Sequence, residues 1–332
     1  MRCAEAAGAE VYVLGNEASK GFRYSCRIKE FVLSKTKIDR SGSDAILDEI
    51  NRYVAEFGID LVIAGDAPAT RSICALKQRI MAPCFPLPTL EQFDFMNDKW
   101  QFTQMCNQLG IQTPPSRLFE NKEELLSAMG AGEVKLPCMA KALALEGNHG
   151  IFKLEAATAR ETIAKIDYKP ILVQDFMPGD DIDASVFARD GKVECYSVHH
   201  VKQATYSILD LDAVRDAMAR IVAKMGVSGV YDFDMRQTAD GRLYYLECNP
   251  RLFFKCNLSM VAGINFVTPG LPGGKTHAKL APGTAVRRPK ALALALVTQP
   301  WSVTRRDFAM LCYLLSDPLP YFREMWRLEW EP

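Results

Sequence analysis

The densest chemistry in the chain lies on two acidic segments separated by a turn, Tyr231-Asp-Phe-Asp-Met235 and Leu246-Glu-Cys-Asn-Pro-Arg251. Side chains alternate between the two faces of a strand, so Asp232 goes with Asp234, and Glu247 goes with Asn249. Asp240-Gly241 between them signals a two-residue hairpin loop, because both residue types tolerate the positive φ that such a turn needs. This loop pairs Asp234 with Glu247 and Asp232 with Asn249, which gathers four oxygen-bearing side chains and Arg251 on one face. The other face, Phe233, Met235, Tyr244 and Leu246, reads as core. Directly opposed carboxylates stand about 5 Å apart at Cβ and repel by about 3 kcal/mol at an effective dielectric of 20. A cation is therefore expected there, and carboxylate and amide oxygens suit magnesium or manganese. The alternative is the solvated face of a surface hairpin, where the repulsion falls below about 1 kcal/mol.

The elements that would hold this hairpin begin with an α/β unit. Residues 1–8 read as the end of a helix, and Glu10-Val-Tyr-Val-Leu14 before Gly15 as a buried strand. Ile46, Leu47, Ile50, Tyr53, Val54 and Phe57 recur at helical spacing up to Gly58, and Leu61-Val-Ile-Ala64 follows as a strand. Strand, helix and strand predict a parallel sheet. Asp66, at its carboxyl edge, is a substrate contact or, the better fit, a helix N-cap. The proline-rich stretch from Pro83 to Pro88 closes the unit, so 1–95 is expected to be an N-terminal α/β domain.

Regular alternation then stops. A helix over 98–109, a helix over 121–129, a strand over 134–142, a glycine-containing loop at 146–150, a strand over 151–154, a helix over 157–166 and a strand over 171–176 predict a small α+β lobe spanning 96–178. A strand over 193–198, a helix over 211–225 and the acidic hairpin predict an antiparallel lobe over 179–285. In 286–332, residues 291–297 read as a strand and 306–315 as an amphipathic helix. Ser316-Asp-Pro-Leu-Pro-Tyr321 with Trp326 and Trp330 reads as a docking or capping segment.

The chain has 332 residues with 40 Lys+Arg against 40 Asp+Glu, and no basic run longer than pairs such as Arg287-Arg288 and Arg305-Arg306, which argues against a nucleic-acid partner. Hydrophobic content of 48% and charged content of 24% are those of a globular protein rather than a disordered one. The ten cysteines form no Cys-x-x-Cys pair and the four histidines sit apart from paired cysteines, so reduced thiols in a cytoplasmic protein are expected rather than a zinc site. The apolar run 291–297 is roughly a third of what a membrane span needs.

The acidic hairpin ending in Glu247-Cys-Asn-Pro-Arg251 resembles the hallmark of the ATP-grasp superfamily, in particular its carboxylate-amine ligases, with members similar to carbamoyl-phosphate synthase and D-alanine ligase. Further motifs follow in the family's order: Asn97-Asp98-Lys99, Met139-Ala-Lys141, and Val173-Gln-Asp-Phe-Met-Pro-Gly179. The resemblance implies an ATP-grasp fold, in α/β and α+β parts, whose small lobe and antiparallel lobe clasp ATP. It implies that Lys99 and Lys141 contact ATP phosphates, and that the strand carrying Gln174, Asp175, Phe176 and Met177 reads adenine. Asp180 or Asp181 would hold the ribose, Gly147 and Gly150 would close over the phosphates, and Lys202, after His199-His200-Val201, is a candidate for the same phosphates. Asp234, Glu247 and Asn249 would hold Mg2+ (or Mn2+). Arg251, with Lys99 and Lys141, would act on the transferring phosphoryl group.

The sequence departs from the family where Lys141 is followed by alanine and the loop Glu146-Gly-Asn-His-Gly150 keeps only two glycines. The family's first strand and glycine-rich turn do not open this chain, which leaves an expected sheet edge open or filled from elsewhere. Lys255, Asn257 and residues 258–266 resemble the substrate side of amino-acid-using members. The activity implied is ATP-dependent ligation of a small-molecule carboxylate to an amine through an acylphosphate. The alternatives are a non-catalytic ATP-binding regulator or scaffold, and carboxyphosphate chemistry on bicarbonate. A homodimer is expected by analogy alone.

Overall fold

The computed structural model describes residues 1–145, 147, 149–202, 204–275 and 282–320. In the N-terminal unit, α1 (Arg2–Ala6) leads into β1 (Tyr12–Gly15), which pairs in parallel with β2 (Glu30–Leu33) after a 3-10 segment at Glu17–Tyr24. α2 (Asp44–Phe57) begins where the Ser43 side chain accepts from the Ile46 N–H and stops at Gly58, whose φ of 62° places it in the left-handed region. The strand expected over 61–64 is reduced to one parallel bridge, Val62 to Cys84. α3 (Ala67–Leu76) opens on Asp66, which accepts from the Ala69 N–H, so Asp66 is a cap. α4 (Leu90–Asn97) was not anticipated. It starts at a Thr89–Gln92 capping box and runs across position 95 before α5 (Lys99–Gln108), capped by Asp98.

The small lobe comprises β3 (Ser116–Phe119), α6 (Lys122–Gly130), β4 (Cys138–Lys141), β5 (Ile151–Leu154), α7 (Ala159–Ala164) and β6 (Ile171–Asp175). Its antiparallel sheet has the order β3-β6-β4-β5 and buries Phe119, Leu125, Cys138, Leu154 and Ile171 against its helices. β4 is shorter than the 134–142 expected because Pro137, just before it, has no amide to give to the ladder.

The large lobe comprises β7 (Asp180–Arg189), β8 (Lys192–Lys202), β9 (Thr205–Leu209), α8 (Asp212–Met225), β10 (Gly229–Gln237), β11 (Leu243–Asn249), α9 (Cys256–Ala262), β12 (Ala285–Arg287), α10 (Pro289–Thr298) and α11 (Arg305–Leu315). Its sheet has the order β11-β10-β7-β8-β9-β12. On one face Ile182, Ala184 and Val186 of β7 join Phe233 and Met235 of β10 in a core closed by Phe102 of α5 and Met218 of α8. The alternate residues of β7 are Asp181, Asp183 and Ser185, then Phe187 in a second core, so the other face is polar only at its leading end. Residues 291–297, expected as a strand, lie in α10. Proline suits a helix's first turn, and the Ala-Leu repeat has higher helix than strand propensity. Tyr321, Trp326 and Trp330 lie outside the described residues.

Candidate active site

The β10–β11 hairpin sets Asp232 against Asn249 and Asp234 against Glu247, as the sequence predicts, but by a different route. The loop is longer than two residues: Thr238 N–H donates to the Arg242 carbonyl at 2.9 Å, Gly241 N–H donates to the Thr238 carbonyl at 2.8 Å, and Gly241 has φ of 83°. Beside the loop the pairing is therefore Gln237 to Leu243, Arg236 to Tyr244 and Met235 to Tyr245, one step from the expected register. A bulge between Asp234 and Met235 restores it, with Leu246 as the extra residue. The core face is corrected accordingly: Tyr245, not Leu246, packs with Phe233 and Met235. Leu246 instead lines the cleft between the lobes.

Lys99 Nζ lies 3.1 Å from Glu247 Oε2 and donates to the Leu145 carbonyl at 3.0 Å. Lys99 and Lys141 are only 4% and 5% exposed, which excludes the solvated surface lysines that either residue alone would suggest. A lysine at a helix N-terminus opposes the helix dipole, and the contact with Glu247 offsets that. Burial pushes the Lys141 ammonium down to about 8, with Glu247 resisting the shift. Burial also disfavours the Glu247 carboxylate, yet Lys99, the carboxyl of Asp234 and Lys141 outweigh it and hold Glu247 below the usual range. Asp234 is raised well above that range by burial and by Glu247. Asp232 is raised to about 7 by burial and by Asp183, and accepts from Ser185 Oγ at 2.6 Å.

Asp234 is thus pushed toward its neutral form, while Glu247 is held toward its ionised form by the lysine ammonium groups. A divalent cation would relieve the same repulsion more fully, and the oxygen donors of Asp234, Glu247 and Asn249 fit it chemically. Asn249 here turns Nδ2 to Asp234 at 3.3 Å and Oδ1 to Arg251 Nη2 at 3.1 Å. Among the described residues no three His, Cys, Asp or Glu side chains form an ion site on their own. Phosphate or water oxygens would complete the shell.

Asp234 and Glu247 face a cleft of about 510 Å³ between the two lobes, within the range typical of small-molecule sites. Lys141, Gln174, Asp175, Phe176, Met177 and Asp181 line it as well. Gln174 donates through Nε2 to Ser116 Oγ at 3.1 Å, while its Oε1 is buried without a hydrogen-bond partner among the described residues. Lys99 stands behind Glu247, and Asn249 and Arg251 stand beyond the cleft lining. Arg251 faces the junction with the N-terminal unit, near Thr70 and Phe85. Lys202 does not line the cleft: it pairs with Asp180 at 2.5 Å, both half exposed, at the end of β8. Gly147 and Gly150 have φ of 64° and 68°, and a Cβ on Gly150 would stand 2.9 Å from Ala142 Cβ, so glycine is required there. Glu146 and Asn148 lie outside the described residues.

Among the cleft residues that escaped the sequence reading of the site are Asp183, Arg236 and Leu246. The alternation that linked Asp232 to Asp234 also reaches Arg236, whose Nη2 lies 2.9 Å from Asp181 and whose Nη1 donates to the Gly179 carbonyl at 3.0 Å. Asp183 pairs with Asp234 across β7 and β10, a neighbour relation no local pattern encodes. Lys255, noted only as a substrate-side residue, lines the cleft in contact with Asp183.

The comparisons agree with this geometry. The family described as ATP-grasp in the biosynthetic pathway with Ter operon matches residues 167–293. The arginine-specific large chain of carbamoyl phosphate synthase from Geobacillus stearothermophilus is 26% identical over 217 residues, which is 60% of this chain and 20% of that one. This chain therefore spans about a fifth of that relative's length. The L-amino acid ligase from Bacillus licheniformis superposes with a TM-score of 0.63 at 16% identity, covering 85% of this chain and 73% of the ligase. The biotin carboxylase domain of Hydrogenobacter thermophilus 2-oxoglutarate carboxylase, a dimer solved with MgADP and bicarbonate, gives 0.62 at 16% identity, covering 80% and 64%. Hairpin, lysines, two-lobed cleft and these likenesses together give the chain the ATP-grasp fold, with residues 167–293 matching an ATP-grasp family.

Proposed function

We propose that the chain is an ATP-dependent ligase that activates a small-molecule carboxylate as an acylphosphate and passes the acyl group to an amine. The observation that carries this reading is the burial of Lys141, with Lys99 behind Glu247, where Asp234 and Glu247 line a nucleotide-sized cleft. Buried ammonium groups are costly unless anions meet them, and a polyphosphate supplies such anions. In the first step the bond between the γ-phosphorus and its bridging oxygen breaks, a bond to the substrate carboxylate forms, and ADP leaves. In the second, the amine nitrogen attacks the acyl carbon, phosphate departs with the C–O electron pair, and the nitrogen gives up a proton. The acylphosphate matters because a bare carboxylate has no competent leaving group.

Lys141 flanks the phosphates from β4, and Lys99, behind Glu247, supports them by balancing that carboxylate. Asp234, Glu247 and Asn249 would hold magnesium, which supplies charge neutralisation at the transferring group. Arg251, whose planar fork of donors suits phosphoryl or acylphosphate oxygens, would first have to leave the Leu252 carbonyl and Asn249 Oδ1, which hold it beyond the cleft lining. The β6 segment with Gln174, Asp175, Phe176 and Met177 receives the base, and Asp181, held by Arg236, receives the ribose. Gly147 and Gly150 bend the loop toward the phosphates.

The test is ADP and phosphate release across a library of carboxylates and amines. Lys141→Ala and Glu247→Gln are each expected to lower kcat/KM by about a hundredfold or more. Turnover that survives both substitutions would remove this site from the chemistry. A second reading, carboxyphosphate formation on bicarbonate, is favoured by the bicarbonate named with the Hydrogenobacter domain. Bicarbonate-stimulated ADP release without any amine separates it from ligation. ATP binding without release stimulated by any substrate would point to a regulator.

A further inference from the structure

Charge balances over the whole chain but not along it. Residues 248–306 hold nine Lys and Arg and no Asp or Glu. At its end this run folds into a pair of helices, α10 and α11, joined by a short turn at Pro300–Ser302. Arg287, just before α10, ties the pair together. Its guanidinium donates to the Ser302 carbonyl at 3.0 Å and to Ser302 Oγ at 3.2 Å, and it pairs with Asp307 of α11. Asp307, the acid that ends the run, is thereby buried and neutralised. Arg306 donates to the Val261 carbonyl at 3.2 Å, and among the described residues no carboxylate pairs with Arg288, Arg305 or Arg306.

Each of the two helices has one buried side. Leu292 and Ala295 of α10, and Asp307 and Met310 of α11, point inward, and Leu292 and Met310 share one core with Val286 of β12. At about 100° per residue, the outward positions opposite these are 294 and 297 on α10 and 305, 308 and 315 on α11. A solvated helix carries polar residues on that side. Here Leu294 is 64% exposed, Val297 83%, Phe308 62% and Leu315 67%, and Trp301, in the turn between the helices, is 82% exposed. Because the helices pack against each other over one core, their apolar stripes meet solvent on the same side of the molecule. Cations flank the α10 stripe at both ends, Arg288 before its first turn and Arg305 and Arg306 beyond Trp301. A cation near a helix N-terminus opposes the helix dipole, so helix stability does not account for this placement.

We propose that the outward face of α10, the Pro300–Ser302 turn and α11 docks on an anionic lipid surface. Apolar side chains with a tryptophan among them and basic residues around them suit the boundary layer of such a membrane. Leu294, Val297 and Phe308 enter the acyl region, the Trp301 indole lies among the headgroups, and the arginines meet lipid phosphates. A lipid surface thus matches both the charged and the apolar parts of the face. No described helix is long and apolar enough to cross a membrane, and the contact is peripheral and reversible.

The test is co-sedimentation of the full 332-residue chain with vesicles of pure phosphatidylcholine, and with vesicles that also hold about 30% phosphatidylglycerol. The chain is expected to partition onto the anionic vesicles about tenfold more strongly, and to leave them in about 0.5 M salt. Each basic residue near an anionic surface strengthens partitioning by about fivefold. Arg288→Gln combined with Arg305→Gln is therefore expected to weaken binding by about twentyfold. Val297→Ser combined with Trp301→Ser is expected to weaken it by about tenfold or more and, since both side chains are exposed, to leave Tm within about 2 °C of the parent. Equal binding to the two kinds of vesicle, no binding to the anionic ones, or unchanged binding by either variant overturns the docking site. A dimer in light scattering that Trp301→Ser converts to a monomer also overturns it, since the face would then be a contact between two copies of the chain.

Discussion

Buried charge decides what single residues do in this protein. Lys141 and Lys99 stay buried because Glu247 faces them, and Glu247 stays ionised because they face it. His199 is the opposite case. Its imidazole is fully buried against Tyr206, at 4.4 Å between ring centres, and burial pushes it down to about 3 despite Asp183 at 3.5 Å. The folded protein therefore holds it neutral, while the unfolded chain takes up a proton below about pH 6.5. Stability is complete above that value and declines as pH falls toward 3, by up to about 1.4 kcal/mol per unit. Urea titrations from pH 7 to pH 4 are expected to show this slope, and His199→Phe, which keeps the ring contact, is expected to flatten it. An unchanged slope in the variant would assign acid sensitivity to other groups.

At the scale of elements, the hinge between β6 and β7 is a tightly constrained joint. Gly179 has φ of 149°, and a Cβ there would lie 2.0 Å from the Gln237 carbonyl oxygen. Its own carbonyl accepts from Arg236, which also holds Asp181 on the cleft wall. Gly179→Ala is thus expected to cost about 2–4 kcal/mol and to raise the KM for ATP more than it lowers kcat, measured by thermal melts and steady-state kinetics. A variant with wild-type Tm and KM would show that the hinge has more room than its contacts imply. The hairpin teaches a related lesson. Its acids meet because a longer loop and a bulge cancel. Asp234 and Glu247 are legible from alternation, whereas Leu246 entering the cleft is not, since a bulge leaves little trace in residue type.

For the whole molecule, a ligand that binds only the folded state stabilises it by about 2.7 kcal/mol at a hundred times its Kd. MgATP at that excess is expected to raise Tm, and ATP with EDTA to do so far less, because Asp234 and Glu247 repel phosphate when no divalent ion joins them. Equal shifts with and without magnesium would contradict the cation role given to Asp234, Glu247 and Asn249. By itself the sequence determined the chemical set: the acidic hairpin, the lysines of Asp98-Lys99 and Met139-Ala-Lys141, the strand before Gly179 and most elements of the small lobe. These are fixed by side-chain period, caps and turn residues, all of which act over a few positions. Only the tertiary structure decided that Lys99 meets Glu247, and that Asp183 and Arg236 border the cleft while Lys202 does not. Those relations join segments far apart in the chain, and no local preference specifies which strands become neighbours or which charges are buried together.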